Sequence, residues 1–320
     1  MWTEHRPGGD KGKQVMKVVV TGGAGYVGAE LCAALANDGR VDEVVVYDLL
    51  ERGHFGLFMG PKIGGAKVRL VQGDVLDSRR LLQELAGADV IFHLAAKVTT
   101  PFSDAGHSQF EQVNHWGTAE VVYAIEEVAP KARVIYLSSA SVYGEGVGSA
   151  LSAEKPSPRS AYGHAKLRGE AHMARLGDNQ PVCILRSGNV HGFGRCMRFD
   201  AVINRFVFQA HFQGRITVRG SGGQRRSFIH IRALVDTLAA LLPPDGLTGT
   251  YDLVEQDWSV VEIVEALRGP YPETELLFVD QHLDLKSLVV RRDGRLAGVQ
   301  PTRAAGLEED IRALGATFAW

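Results

Sequence analysis

The chain has 320 residues, of which 45% are hydrophobic, and a formal net charge of −2 at pH 7. This nearly balanced charge argues against a nucleic-acid or anionic-membrane surface, and no apolar run approaches the roughly 18 residues of a membrane-spanning helix. The cysteines, Cys32, Cys183 and Cys196, are far apart in the sequence and odd in number, which argues against a disulfide framework. We therefore expect a globular cytoplasmic protein without a nucleic-acid or membrane partner and without a bound metal.

The first 14 residues, MWTEHRPGGDKGKQ, contain proline, glycine and charges but no apolar stretch. A secretory signal would need such a stretch. We expect residues 1–14 to be a flexible extension, with folded structure beginning at Val15.

Short apolar runs alternate with helical stretches through the first half of the chain. Continuous apolar runs of this length are typical of strands buried on both faces of a parallel sheet. The predicted strands are Val15–Val20, Val44–Tyr47, Val68–Val71, Val90–Leu94, Val134–Leu137 and Val182–Leu185, and the predicted helices are Tyr26–Asn37, Ser78–Leu85, Gln109–Val128 and Ala161–Leu176. The alternation predicts an α/β fold with a Rossmann-type, doubly wound parallel sheet over residues 15–186.

The pattern changes after about residue 187, where glycine and arginine become frequent and the elements become less regular. We predict that residues 187–320 form a smaller α/β lobe. Its predicted elements are the helices Asp200–Phe212, Ala233–Leu242 and Val260–Leu267 and the strands Ile216–Val218, Thr250–Leu253 and Leu276–Val279.

A strand, a glycine turn and a helix follow one another in VVVTGGAGYVGAELCAAL. The turn satisfies G-x-G-x-x-G from Gly23 onward. Glycines permit a tight turn and let the backbone approach a pyrophosphate, which then lies at the helix N-terminus. The segment predicts a dinucleotide site that includes Gly22, Gly25, Tyr26, Val27 and Gly28.

An acidic residue closes the next predicted strand. Asp48 lies 20 residues beyond Gly28, and a carboxylate at this spacing can accept hydrogen bonds from the ribose hydroxyls of the dinucleotide. It would also repel a 2′-phosphate, so the spacing favours NAD over NADP. Arg52 nearby leaves NADP open.

Two further strand ends carry short residues suited to a flat cofactor. Asp74, followed by Val75, could lie near the adenine amino group. Leu94, Ala95 and Ala96 follow another strand and would let a cofactor lie close to the backbone. The carboxyl edge of such a sheet is where these folds bind ligands.

The strand in VIYLSSASVYGEG ends in small hydroxyl residues, including Ser139 and Ser141. Downstream, in SAYGHAKLRGE, Tyr162 and Lys166 are four residues apart, which places both side chains on one face of a helix. An ammonium beside a phenol favours the phenolate and so lowers the pKa of the tyrosine. A serine hydroxyl could then share a substrate proton with the tyrosine.

These motifs together resemble the extended short-chain dehydrogenase/reductases that act on nucleotide sugars. The resemblance runs from about Met16 to Leu314 and is carried, in order, by TGGAGYVG, YDLL, GDVLD, HLAA, VNHWGT, LSSASVYGEG, YGHAK, LRSGNVHG and RRSFIH. It implies NAD bound by residues 15–186 and a nucleoside-diphosphate-sugar substrate bound mainly by residues 187–320. It also implies a homodimer formed through the helices 109–128 and 161–176.

The resemblance also implies roles for individual residues. Ser139 matches the catalytic hydroxyl, Tyr162 the base and Lys166 its partner, and the last two also contact the cofactor. Asn189 and Arg226 match positions that bind the sugar nucleotide, Arg226 on the diphosphate, although the adjacent Arg225 could serve instead.

The two residues after Ser139 decide between activities within the family. Relatives that remove water from the sugar carry an Asp-Glu pair there, and decarboxylating relatives carry a glutamate in the same loop. This chain has Ala140 and Ser141, neither of which can act as an acid or base at carbon. The loop is similar to that of sugar 4-epimerases. We therefore predict an epimerase acting at C4, with a 4-keto reductase, a dehydratase or a non-catalytic dinucleotide sensor as alternatives.

Several positions depart from the family pattern. His191 stands where the family usually has tyrosine, and Cys196 is expected near the sugar. A second phosphate-binding arginine has no clear counterpart, although Arg291 or Arg292 could replace it. Lys97 could contact the cofactor or simply be solvated. The sequence does not identify the nucleobase of the substrate, its sugar or the carbon that is inverted.

Overall fold

Parallel strands separated by helices make up the larger part of the protein. The computed structural model describes residues 16–53, 55–60, 62–98, 106–145, 155–243, 246–283 and 285–320. The predicted extension at residues 1–14 lies outside the described residues. The strands are β1 Met16–Thr21, β2 Val41–Asp48, β3 Lys67–Gln72, β4 Val90–His93, β5 Arg133–Ser139, β6 Val182–Ser187, β7 Asn189–His191, β8 Arg215–Arg219, β9 Arg225–His230, β10 Gly249–Leu253, β11 Gln256–Ser259 and β12 Glu275–Val279.

The helices cover both faces of the central sheet and build the second lobe. They are α1 Tyr26–Ala36, α2 Ser78–Leu85, α3 His107–Phe110, α4 Gly117–Val128, α5 Ala161–Leu176, α6 Val202–Gln213, α7 Ile231–Ala240, α8 Val260–Arg268 and α9 Leu307–Gly315. Side chains cap several of them at the N-terminus. Ser160, for example, accepts a hydrogen bond from the backbone N–H of Gly163 at 3.0 Å and so fixes the start of α5.

The described strands include a parallel sheet of seven in the order β10-β6-β5-β4-β1-β2-β3. Helices α1 and α7 pack on one face and α2, α4 and α5 on the other, and each face has its own apolar core. Strands such as Val18–Val20 are completely buried, which explains their unbroken apolar sequence. The predicted Rossmann-type α/β fold is confirmed.

Strand β10 completes this sheet from the distant second half of the chain. Gly249 pairs with Cys183 and Leu253 with Ser187, in parallel register along β6. The predicted unit 15–186 therefore does not contain the whole sheet, because residues 249–253 and helix α7 belong to it as well. The boundary at residue 186 stays a prediction. The structure adds strand β10 and helix α7 to the unit that contains the sheet.

The helix predicted over Gln109–Val128 contains an irregular turn. Residues Glu111–Trp116 form a π-helix between α3 and α4. Asn114 lies in this turn, and its buried side chain both accepts from the backbone N–H of Lys97 and donates to the Lys97 carbonyl, each at 2.8 Å. The wider turn thus ties the helix to the loop after β4. Such turns are frequent at functional sites.

The second lobe packs around a separate apolar core. A sheet of β11-β9-β7 and a parallel pair β12-β8 surround helices α6, α8 and α9. Sequence analysis did not predict β7, β9, β11 or α9. No helix in the described ranges is long and apolar enough to cross a membrane.

Candidate active site

A cavity of about 870 Å³ lies along the carboxyl edge of the sheet, between the sheet and the second lobe. It is the place where parallel α/β sheets bind their ligands. Every residue assigned to the site from sequence lines this cavity, although their individual roles stay predictions. They are Gly22, Gly25, Tyr26, Val27, Gly28, Asp48, Asp74, Val75, Leu94, Ala95, Ala96, Ser139, Ser141, Tyr162, Lys166, Asn189 and Arg226.

The glycine turn leaves no room for side chains. Gly22 has φ 72°, and a Cβ there would lie 2.6 Å from the backbone nitrogen of Ala95. A Cβ at Gly28 would lie 2.1 Å from the carbonyl oxygen of Gly22. No side chain caps the N-terminus of α1 at Gly25, so its first N–H groups can receive a phosphate. The turn therefore fits a dinucleotide.

Asp48 is fixed at the end of β2 by two backbone donors. Its Oδ2 accepts from the N–H of Ala24 at 3.0 Å and its Oδ1 from the N–H of Leu50 at 2.8 Å. Each carboxylate oxygen can accept a further hydrogen bond. Asp48 therefore links the glycine turn to the β2 edge and retains the capacity to bind ribose hydroxyls.

The glycine-turn helix is also tied to the second lobe. The hydroxyl of Tyr26 donates to the carbonyl of Gly192 at 2.5 Å, and the Gly192 N–H donates to the side chain of Asn204 at 2.9 Å. Glu30, one turn further along α1, forms an ion pair with Arg195 at 2.6 Å. Segment 192–204 is thereby held against the dinucleotide-binding helix.

Ser139 and Tyr162 meet at the end of β5. Ser139 Oγ accepts from the N–H of Ser141 at 3.2 Å and lies 3.1 Å from Ser141 Oγ. Burial raises the pKa of Tyr162, whereas a hydrogen bond with Ser139 and the charge of Arg198 lower it. The geometry brings together the hydroxyl pair that sequence analysis predicted.

Lys166 lies one helical turn beyond Tyr162 and is 2% exposed. Its Nζ donates to the carbonyl of Leu137 at 2.8 Å. Burial lowers the pKa of Lys166 to about 7, and the charge of Glu170 opposes this shift. A cation held at this place favours a phenolate on the same helix face.

A buried polar network lies behind Ser139. Ser138 Oγ donates to Glu170 at 2.6 Å, and Glu170 pairs with Arg186. Arg186 also donates to the hydroxyl of Tyr143, which in turn donates to Asp252 on β10. The network connects α5 to strands β5, β6 and β10 and so fixes the backbone that carries the site.

Of the two arginines proposed for the diphosphate, Arg226 lines the cavity. Its Nη1 donates to the carbonyl of Lys286 at 2.5 Å; burial lowers its pKa, and the charge of Glu145 raises it. Arg225 instead pairs with Glu262 at 2.8 Å. Asn189 donates to the carbonyl of Ser227 at 3.1 Å.

Three cavity residues of the second lobe were missed from the sequence. Arg198 is held by Asp200 through two contacts of 3.0 and 2.8 Å. The buried Nε of Arg205 and the buried Oε1 of Gln224 have no hydrogen-bond partner among the described residues, and both residues line the cavity. Polar atoms of this kind are suited to a bound ligand. No local motif marks them: Arg205 lies within α6, Gln224 directly precedes β9 and Arg198 lies in the loop before α6.

The residues that depart from the family pattern occupy different places. His191 lines the cavity and is 2% exposed, and its Nδ1 has no hydrogen-bond partner in the part of the chain that the structure describes. Burial holds its pKa well below the ordinary value. Lys97 also lines the cavity and pairs with Glu51 at 2.6 Å. These observations assign no catalytic or binding role to His191 or Lys97.

Two expectations are corrected. Cys196 was expected near the sugar, but it is buried against the backbone of Gly56 and Leu57, and burial raises its pKa. Arg291 and Arg292 line a separate small depression beside Glu255 rather than the main cavity.

The described ranges contain no group of three or more His, Cys, Asp or Glu side chains arranged to hold a metal ion.

Comparisons with known proteins agree with this geometry. A model of the NAD dependent epimerase/dehydratase family matches residues 18–251. The chain is 27% identical over 272 residues to dTDP-D-glucose 4,6-dehydratase of Mus musculus, covering 83% of this chain and 76% of the relative. It is 30% identical over 254 residues to a Bacillus subtilis (strain 168) protein named uncharacterized UDP-glucose epimerase YtcB, covering 73% and 75%.

A solved structure shares the whole architecture. The UDP-glucuronic acid 4-epimerase from Bacillus cereus, in complex with UDP-glucuronic acid and NAD, is 25% identical with a TM-score of 0.77 and covers 95% of this chain and 100% of that chain. The predicted cofactor, NAD, is confirmed by the family and its solved NAD complexes. With its glycine turn, Asp48 and Tyr162, the chain belongs to the NAD dependent epimerase/dehydratase family.

Proposed function

We propose that the protein is a nucleotide-sugar epimerase that inverts the sugar at C4 through a 4-keto sugar. The observation that carries this proposal is the loop after Ser139. Tyr162 lies close enough to Ser139 for the serine to lower the pKa of its phenol. The next two residues, the buried Ala140 and the half-buried Ser141, offer no carboxylate. Such a loop supports proton transfer at a sugar hydroxyl rather than removal of water.

The nearest acid in this loop supports the same conclusion. Glu145 lines the cavity, but it lies close enough to Arg226 for its charge to raise the pKa of that guanidinium. We assign Glu145 to the charge balance around the diphosphate position and not to proton removal at carbon.

Each residue then has a defined task. Tyr162, as phenolate, removes the proton from the 4-hydroxyl of the sugar, and Ser139 holds that hydroxyl by hydrogen bonding. Lys166 stabilises the phenolate by its charge. NAD, held by the glycine turn and Asp48, would supply the hydride acceptor and donor for C4, so that the configuration at that carbon can be inverted. Tyr162 gives back the proton, so the product is an isomer of the substrate.

The second lobe supplies the binding energy and the room for the sugar to turn. Arg226 offers two parallel N–H donors to phosphate oxygens. The cavity volume of about 870 Å³ is near the upper end of the 300–1,000 Å³ common for ligand pockets. This supports a site that holds the dinucleotide and a nucleotide sugar together.

We also infer a homodimer formed by α4 and α5, which pack side by side. Trp116 and Tyr123 on this surface are 56% and 51% exposed, large values for aromatic side chains. Sedimentation analysis should give twice the monomer mass of 34.7 kDa, and Trp116→Glu with Tyr123→Glu should give the monomer. A monomeric unmodified protein would refute the dimer.

The activity test starts with the purified protein. Denaturation should release NAD in a 1:1 ratio, and incubation with UDP-, dTDP-, GDP- and CDP-sugars should yield a product of unchanged mass with inverted C4 by NMR. Tyr162→Phe should abolish turnover, whereas Tyr271→Phe, which lies outside the cavity, should retain it.

Three other results would replace the proposal. A product lighter by one water would make the protein a dehydratase, the activity in the name of the Mus musculus relative. Turnover only with added NAD(P)H would make it a 4-keto reductase. Bound NAD with no turnover on any sugar would leave a dinucleotide sensor.

A further inference from the structure

Two neighbouring residues of β5 hold the ammonium of Lys166. Its Nζ donates to the carbonyl of Leu137 at 2.8 Å. It also lies 4.7 Å from the ring centroid of Tyr136, over the ring face. Both Lys166 and Tyr136 are almost completely buried, so water does not replace either contact. An ammonium over an aromatic face is attracted by the ring quadrupole, and the attraction increases on desolvation.

We propose that Tyr136 is a positioning residue for the reaction, whose ring face holds Lys166 charged and in place beside Tyr162. This inference deepens the proposed function and rests on it for the role of Lys166. Tyr136 touches neither cofactor nor substrate in this assignment; it acts through the lysine alone.

The ring of Tyr136 also contacts a residue of the neighbouring strand. His93 on β4 stacks against Tyr136 with ring centroids 5.4 Å apart and planes 15° from parallel. The two nitrogens of His93 are held by the hydroxyls of Thr21, at 2.7 Å, and Thr118, at 3.0 Å. A column from β1 through His93 and Tyr136 therefore ends at Lys166.

The other groups near Lys166 do not replace the ring. Burial lowers the pKa of His93 to about 3, so the imidazole is neutral, and burial raises the pKa of Tyr136, so the phenol is neutral too. Glu170 is the acid on the same helix that favours the charged lysine. Its carboxylate is already shared by Arg186 and Ser138.

Helix α5 approaches the ring closely enough to fix this arrangement. A Cβ at Gly169 would lie 2.6 Å from the hydroxyl oxygen of Tyr136. The absence of that Cβ lets α5 bring Lys166 over the ring. The hydroxyl is not needed for the cation contact, because the ring face makes it.

The test changes the electron density of the ring while keeping its shape. Phenylalanine, 4-fluorophenylalanine and 3,4,5-trifluorophenylalanine are placed at residue 136, and fluorination progressively weakens the ring quadrupole. The titration of Lys166 is followed by NMR with lysine labelled at the ε-carbon, the signal being assigned by its loss in Lys166→Met. Tyr136→Leu, which removes the ring, completes the series.

We expect Tyr136→Phe to leave the Lys166 titration midpoint within about 0.2 pH units of the unmodified protein. The midpoint should fall stepwise with fluorination, and by about one pH unit in Tyr136→Leu. The alkaline limb of the kcat/KM profile should move by the same amount, because activity needs the charged lysine. Equal midpoints in the phenylalanine and trifluorophenylalanine proteins would overturn the inference.

The NMR titration does not need turnover, so the two proposals fail separately. A graded midpoint in a protein that does not epimerise any sugar would keep the Tyr136 contact and reject the proposed function. Epimerisation together with a Lys166 midpoint unaffected by fluorination would keep the proposed function and reject the Tyr136 contact. The fluorinated proteins still give the Lys166 midpoint if Tyr136→Leu does not fold, because their side chains nearly match phenylalanine in size.

Discussion

Arg186 and Glu170 form a buried ion pair with two parallel contacts. Arg186 Nε donates to Glu170 Oε1 at 3.0 Å and Nη2 to Oε2 at 2.7 Å. Their side chains are 14% and 7% exposed. The pair joins helix α5, which carries Tyr162 and Lys166, to strand β6, and so fixes the distance between helix and sheet at the site.

Removing one partner of this pair should cost far more stability than removing an exposed one. Glu170→Ala leaves the Arg186 charge buried, and we expect the free energy of unfolding to fall by about 3–5 kcal/mol. Arg175→Ala, which breaks the exposed pair with Glu126, should cost less than about 1 kcal/mol. Urea unfolding of both variants measures the difference. Equal losses of unfolding free energy would show that the buried pair contributes no more to stability than the exposed pair.

Replacing Lys166 by an uncharged side chain should stabilise the fold while abolishing activity. The pKa of Lys166 is about 7 in the folded protein, against an ordinary value of 10.5. Between these pH values only the unfolded chain binds the proton, so the stability of the unmodified protein rises with pH. Lys166→Met should therefore gain up to about 4 kcal/mol at pH 6.5, and the gain should shrink toward pH 10. A gain independent of pH would contradict this origin.

Mild acid should destabilise the protein through its buried histidines. Burial lowers the pKa of His93 to about 3 and of His230 to about 4, from an ordinary 6.5. Below pH 6.5 these imidazoles bind protons only after unfolding, so the stability decreases as the pH is lowered. His93→Gln should reduce the slope of unfolding free energy against pH by up to about 1.4 kcal/mol per unit. Chemical denaturation between pH 6.5 and 5 gives this slope, and an unchanged slope would assign the acid sensitivity to other groups.

A single methyl group in the glycine turn should remove the cofactor. The Cβ of Gly28→Ala would lie 2.1 Å from the Gly22 carbonyl, so the turn must move. We expect purified Gly28→Ala to release less than about a tenth of the NAD released by the unmodified protein, because the phosphate-binding backbone is displaced. Gly39→Ala, where a Cβ would meet nothing within 4 Å, is the matched control. Full NAD content in Gly28→Ala would show that the turn tolerates the shift.

The central sheet could be predicted from sequence because most of its strands are largely buried, the edge strand β3 being the mostly exposed exception. Such strands are continuous apolar runs, and each predicted run through Val182–Leu185 lies on an observed strand, within a few residues at its ends. The second lobe lacks this signal. Strand β7 has three residues, and β9 begins with Arg225 and Arg226, which read as loop. Their strand character comes from pairing with each other, a contact between distant segments that no local pattern contains.

The same distinction applies to the site. Glycines, Asp48, Ser139, Tyr162 and Lys166 follow strand ends or share a helix face, so spacing alone places them at one edge. The contact of Tyr136 with Lys166 joins a strand residue to a helix residue 30 positions later and carries no motif. The unpartnered Arg205 and Gln224 become visible only once burial is known.

The place of β10 beside β6 has a consequence for synthesis on the ribosome. A nascent chain that has released β6 exposes the backbone N–H and C=O groups along that strand, with only β5 on its other side. The covering strand is translated 62 residues later, from Gly249 onward after Ser187. During that interval the open edge can pair with another nascent chain. A translational pause or a premature stop between these positions should therefore produce aggregates rather than a stable fragment.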